Sequence, residues 1–190
     1  MFDHFNFLAP IYDRVIKPKP PERLSELVNI NPAGNLLDVG GGTGRISQFF
    51  SGQAEQIVVA DLSFQMLEKS QLKNGLCPIN SHSEKLPFQD HSFDRIIMVD
   101  ALHHVCDQAQ TAKELWRVIK PGGRIVIEEP DIHTKGVKLI ALAEKLALMR
   151  SHFLSGQEIR ALFTDLPGSI EVFNEDHFVW VVIEKEQGYR

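Results

Sequence analysis

Two groups of residues in this 190-residue chain have the types and spacing to do chemistry. The first is a glycine cluster, Gly40, Gly42 and Gly44, with Asp38 two residues ahead of it and Asp61 just after the apolar run Ile57 to Ala60. Glycine accepts positive φ and, having no Cβ, lets a ligand lie against the backbone. An acid at the tip of the second strand can accept hydrogen bonds from both hydroxyls of a ribose. The spacing G-x-G-x-G is not the dinucleotide turn G-x-G-x-x-G, whose third glycine would fall on Arg45, and no P-loop can be read. A ligand with a ribose, a carboxylate and no phosphate satisfies the set. The second group, Asp100, His103 and His104, follows the apolar run ending at Val99. Imidazole titrates near neutral pH, so these residues and His133 are candidates for a general base. The bland alternatives are that Asp100 caps a turn and that one histidine is packed while the other is exposed. Spacing among His103, His104, Glu129 and His133 matches no compact ligand motif, so no metal is expected.

The elements that must position these residues follow from periodicity. Asn35 to Val39, the glycine turn and the apolar residues Ile46, Phe49 and Phe50 read as strand, turn and helix, with Ile57 to Ala60 as the next strand. Amides at the start of the helix after the turn would favour an anionic group. Ser63 is a natural N-cap for a helix ended by Gly75, and Leu76 to Asn80 is a third strand. The stretch from Ser81 to Ser92 is a loop, and Phe93 to Val99 is a fourth strand, continuously apolar after Arg95 as a doubly covered parallel strand should be. Asp107 caps the next helix, which Pro121, Gly122 and Gly123 stop before a fifth strand over Arg124 to Ile127. Gly136 to Met149 is apolar nearly all round, so that helix must be covered by core, by a second subunit or by an apolar ligand. Gln157 to Phe163 is helical, and Ser169 to Phe173 with Phe178 to Glu184 closes the sheet as an antiparallel hairpin. A short helix over Asp13 to Lys17 and another from Pro21 or Glu22 to Val28 precede all of this. Alternating strands and helices give an α/β fold, an open, mostly parallel sheet with helices on both faces.

Length suits one domain over residues 1–190, with 1–30 as a helical N-terminal region. A net charge of −5 argues against a nucleic-acid surface. No stretch reaches membrane-span length and no signal peptide is evident, so a cytoplasmic protein is expected. Cys77 and Cys106 lie in apolar contexts and are expected to be buried reduced thiols.

The segments LLDVGGGTG, VVADLS, SEKLPFQDHSFDRIIMVDALHHV and LWRVIKPGGRIVIEEP together resemble class I S-adenosylmethionine (SAM) dependent methyltransferases. The likeness is greatest to the small-molecule group, type 11, that includes the ubiquinone/menaquinone biosynthesis C-methyltransferases. It implies a Rossmann-like, seven-stranded sheet, SAM as cofactor and S-adenosylhomocysteine as product. Carried onto this chain, it implies cofactor binding by Asp38, Gly40, Gly42, Gly44, Asp61, Leu62, Ser83, Glu84 and Asp100. It also implies an N-terminal lid in which Tyr12 touches cofactor or substrate, so that His103, His104, Asp100 and Tyr12 form the expected catalytic set. Where relatives have Gly-Asp-Ala-Glu, this chain has Ser81, His82, Ser83 and Glu84, so His82 replaces the acid expected at adenine. The end of the fourth strand lacks the Asn/Asp-Pro-Pro-Tyr turn of nucleobase and glutamine methyltransferases. The implied acceptor is a small molecule with an oxygen, carbon or nitrogen nucleophile, quinone-like being one choice. A non-catalytic SAM-binding accessory protein is the alternative, and a homodimer is compatible with the apolar helix.

Overall fold

A computed structural model describes residues 21–133, 151–175 and 177–188. Helix α1 (Glu22–Val28) leads into β1 (Asn35–Val39), a 3₁₀ turn (Ser47–Phe50), β2 (Gln56–Asp61), α2 (Phe64–Ser70) and β3 (Leu76–Asn80). Then come β4 (Phe93–Val99), a 3₁₀ turn (Leu102–His104), α3 (Gln108–Val118), β5 (Ile119–Pro130), α4 (Gly156–Ala161), β6 (Gly168–Glu175) and β7 (Phe178–Lys185). Among the described residues no helix is long and apolar enough to cross a membrane.

The seven strands form one sheet in the order β3-β2-β1-β4-β5-β7-β6. β7 runs antiparallel to both of its neighbours, and the other strands are mutually parallel. The central strands are apolar on both faces because both are covered. Leu37, Val39, Ile96, Met98, Ile125 and Ile127 pack with Leu115 and Val118 of α3 and Ile159 of α4. Their sequence neighbours Leu36, Ile97 and Val126 point the other way, onto Leu24 and Val28 of α1, Phe50 and Leu67. Alternation within a continuous apolar run is what a two-sided strand requires.

Three expected elements change. The helix after the glycine turn is a run of turns ending in the 3₁₀ segment, so no helix N-terminus faces a ligand there. α2 stops at Ser70, with Gln71 as its C-cap, before reaching Gly75. β5 begins at Ile119 rather than Arg124, because Ile119 pairs with Phe93 and the extra residues up to Gly123 loop out before Arg124 pairs with Arg95. Gly122, at φ 75°, makes that irregularity possible.

The C-terminal carbonyls of α1 are held by arginines of β4 and β5. Arg95 Nε donates to Val28 O at 2.7 Å and Arg124 Nη1 to Leu27 O at 2.6 Å. The expectations for Tyr12, the 13–17 helix and the 136–149 helix lie outside the described residues. Both cysteines are exposed, Cys77 on the edge strand β3 and Cys106 in the loop before α3, correcting the buried-thiol expectation.

Candidate active site

β1 and β4 are neighbours, while the chain leaves β1 toward β2 on the other side. At this switch point a crevice opens beyond the carboxyl ends of the strands. It holds a cavity of about 270 Å³ whose lining includes Gly40–Thr43, Asp61–Ser63, Ser81–Glu84 and Asp100.

Each motif glycine serves a different end. Gly40 has φ 74°, and a Cβ there would sit 2.6 Å from Ala101 Cβ, so Gly40 lets the β1 turn touch the β4 turn. A Cβ on Gly42 would meet nothing closer than Asp61 Oδ2 at 3.8 Å and would project into the cavity. Gly44 does not line the cavity: its Cβ would strike Leu76 Cδ1 at 2.5 Å and Ser70 Oγ at 2.9 Å. Its place in the expected cofactor set is corrected to a packing role.

Asp61 ends β2 and is fixed by amides on both sides, Oδ2 accepting from Gly42 N at 2.8 Å and Oδ1 from Ser63 N at 2.7 Å. The carboxylate thus faces the cavity in one orientation, and exposed Leu62 follows it on the wall. Asp38 is buried beneath Gly41 and accepts from Ser47 Oγ at 2.5 Å. Burial pushes its carboxyl up to about 6; the Ser47 hydroxyl and Arg45 pull down while the Asp61 charge adds to the rise.

Ser83 and Glu84 hang on the start of α3. Thr111 Oγ1 donates to Ser83 Oγ at 3.2 Å, and Asp107 N donates to Glu84 Oε1 at 3.3 Å. His82 lines the same wall, 3.9 Å from Glu84 Oε2.

On the far wall stands the loop after β4. Asp100 adopts φ 53°, a conformation uncommon without glycine, and its carboxylate lies 3.8 Å from Arg45 Nη2. Behind it, burial first and then the Asp100 charge push Glu128 up to about 7. His104 reaches the cavity and is held neutral, its basicity lowered to about 3 by burial and then by the neighbouring His103. His103 does not line the cavity. Its ring is 2% exposed, stacks on Phe153 at 4.2 Å and places Nδ1 2.5 Å from Glu129 Oε2. Val105, not singled out in the sequence, and Cys106, read there only as a buried thiol, continue the wall directly after His104. Their adjacency to the histidine pair was the signal available.

A group with a ribose and a positive centre fits these residues. Asp61 is aimed at the opening, Gly42 leaves room over it, and Asp38, Glu84 and Asp100 make the lining acidic, with Arg45 available to a carboxylate. The strand order and the place of the crevice are those of the class I, Rossmann-like methyltransferase fold.

Comparison with known proteins points the same way. Residues 37–127 match the family model described as "Methyltransferase domain", and the chain is similar to class I SAM-dependent methyltransferases of the UbiE-like type. It is 36% identical over 104 residues to the ubiquinone/menaquinone biosynthesis C-methyltransferase UbiE of Haemophilus ducreyi, covering 50% of this chain and 40% of that protein. It is 32% identical over 114 residues to UbiE of Shewanella frigidimarina, covering 55% and 45%. The chain therefore spans less than half the length of these curated relatives. Among solved structures, a methyltransferase in complex with the Haloferax volcanii Trm112 methyltransferase activator superposes with a TM-score of 0.82 at 16% identity, over 98% of this chain and 99% of that one. A SAM-dependent methyltransferase from Aquifex aeolicus gives 0.71 at 18% identity, over 97% and 99%. The [4+2]-cyclase SpnF gives 0.77 at 13% identity, over 97% and 95%. Methyltransferases of the matched family use SAM as the methyl donor.

Proposed function

We propose that the chain, as one domain over residues 1–190, transfers a methyl group from SAM to a small-molecule acceptor through an oxygen, carbon or nitrogen nucleophile. The observation that carries this reading is Asp61, oriented by two backbone amides and facing the space over Gly42. In it, Asp61 holds the ribose hydroxyls, Leu62 lies along the base, and His82, Ser83 and Glu84 frame the adenine edge. Asp38, Arg45 and Asp100 surround the amino-acid end. Bound SAM supplies an electrophilic methyl group on a sulfonium, and the protein's part is alignment and exclusion of water, worth roughly 7 to 11 kcal/mol in well-oriented systems. His104, neutral at the cavity wall with its basicity lowered to about 3, is a weak base and orients the acceptor by hydrogen bonding rather than by holding its proton. The apolar wall of Met98, Val99 and Val105, and the names of the curated relatives, favour a quinone-like acceptor. A cytoplasmic setting stays part of this reading.

The resemblance to a fold that also carries a [4+2]-cyclase, and to a methyltransferase bound by an activator protein, supports a second reading in which the chain binds SAM without transferring its methyl group. Calorimetry with SAM, S-adenosylhomocysteine and NAD, followed by a screen for methylated products, separates the two. Binding of the first two alone with a methylated product supports transfer. Binding without product from any acceptor supports the accessory role, and binding of NAD alone overturns both.

A further inference from the structure

The loop that carries Asp100 and His104 makes an unfavourable backbone turn at Asp100 and then runs as a single 3₁₀ turn. Short 3₁₀ segments have few internal hydrogen bonds, so something outside must hold this one. Glu129, on β5 and 3% exposed, supplies it. Its Oε1 accepts from Ala101 N at 2.9 Å and Leu102 N at 2.7 Å, and its Oε2 lies 2.5 Å from His103 Nδ1. One buried carboxylate thus holds three consecutive residues lying between Asp100 and His104. The arrangement continues outward: His152 N donates to His103 O at 2.7 Å, Gln108 Nε2 bridges Leu102 O and His152 O, and Phe153 covers the His103 ring. Ser151 Oγ stands 3.4 Å from His104 Nδ1.

We propose that Glu129 is the positioning residue of the acceptor side, acting through Ala101, Leu102 and His103 to set where His104 faces the cavity. This rests on the methyl-transfer reading only for the word acceptor; the anchoring itself does not. Glu129 is not itself among the residues that line the cavity, so it acts on the site through the residues it holds, of which Ala101 is part of the wall. A carboxylate acceptor requires the proton of His103 to sit on Nδ1. Glu129→Gln keeps an oxygen for the two amides but turns an NH₂ group toward the imidazole, which must then move its proton to Nε2. The substitution is therefore isosteric, and its effect is local and visible.

The test has three parts. In the wild-type protein, long-range ¹H–¹⁵N NMR should find His103 protonated at Nδ1, and the Ala101 and Leu102 amides should exchange far more slowly than the exposed amides of the loop that follows. In Glu129→Gln the proton should move to Nε2, S-adenosylhomocysteine affinity by calorimetry should stay within about threefold, and the transfer rate on an acceptor found by screening should fall at least tenfold with the KM for SAM unchanged. Glu129→Ala, which removes all three bonds, should lose the amide protection as well. An Nε2-protonated His103 or fast-exchanging amides in the wild type would overturn the anchor even if the variants do not fold. A wild-type rate in Glu129→Gln with a moved proton, or a loss of cofactor affinity as large as the loss of rate, would overturn the positioning role. Absence of S-adenosylhomocysteine binding by the wild type would instead sink the methyl-transfer reading, and the NMR result would still decide the anchor.

Discussion

At the scale of single residues, the two glycines flanking Thr43 separate cavity lining from packing. Both have positive φ, so an alanine at either costs about 1 to 2 kcal/mol in backbone strain. Gly42→Ala adds a methyl to open cavity, whereas Gly44→Ala drives one into Leu76 and Ser70. Gly42→Ala should therefore weaken S-adenosylhomocysteine binding with a small shift in melting temperature. Gly44→Ala should lower the melting temperature further by overpacking, on the scale of 1 to 3 kcal/mol, in a paired calorimetry and melting experiment. Asp61→Ala removes charge-assisted hydrogen bonds worth roughly 1.5 to 3 kcal/mol each, so affinity should fall at least tenfold; unchanged affinity would defeat its assignment to the ribose. The pH dependence follows from the buried titratable groups. Asp38 binds its proton more tightly when folded, so its contribution is greatest below the ordinary carboxylate range and is lost as pH rises through about 6. At full burial the shift from 3.8 to about 6 corresponds to roughly 3 kcal/mol. The stability of Asp38→Asn relative to wild type should rise between pH 4 and 6 and then stay level, measured by denaturant unfolding. His104 has the opposite sign: its folded form gives up its proton at about 3, so wild type gains on His104→Gln as pH rises to about 6.5. A His104 ring signal titrating near 6.5 would contradict this environment.

At the scale of elements, the parallel strands were legible because each is a short apolar run bounded by turn residues, and β1, β3 and β4 begin and end where the pattern says. The caps were legible too: Ser63 accepts from Met66 N and Asp107 from Gln110 N. The segment after the glycine turn was misread because Ile46, Phe49 and Phe50 have helical spacing yet only Phe50 is fully buried. With Gly44 packed against Ser70 and Leu76, the chain turns too tightly for a full helix. The start of β5 was misread because Pro121, Gly122 and Gly123 look like a stop, while in the sheet they loop out between two paired residues. Asp61, Gly42, His104 and the Ser83–Glu84 wall were legible in the motifs. Gly44 was not, because a glycine needed for packing and one needed for a ligand look the same in sequence. Glu129 was not, because its partners lie 26 to 28 residues away across the sheet.

At the scale of the whole molecule, β7 sits between β5 and β6 and is the strand that runs against the rest. Its partner across the ladder from Glu129 is Val179, so the strand holding the acceptor-side anchor is completed only by residues near the end of the sequence. Truncation after Pro167 should leave β5 with an open, apolar edge and yield a protein that aggregates, which size-exclusion chromatography would show. A monomeric, S-adenosylhomocysteine-binding truncation product would mean the first five strands stand alone. During synthesis the same order has a consequence in time. The ribosome delivers β5 well before β7, and at about 5 to 20 residues per second the nascent chain waits several seconds with that edge unpaired. The glycine turn and Asp61 can take shape while the chain is still tethered. The sheet behind the wall is finished only once β7 has been made, so chaperone contact in the cell is expected at the half-made sheet rather than at the nucleoside pocket.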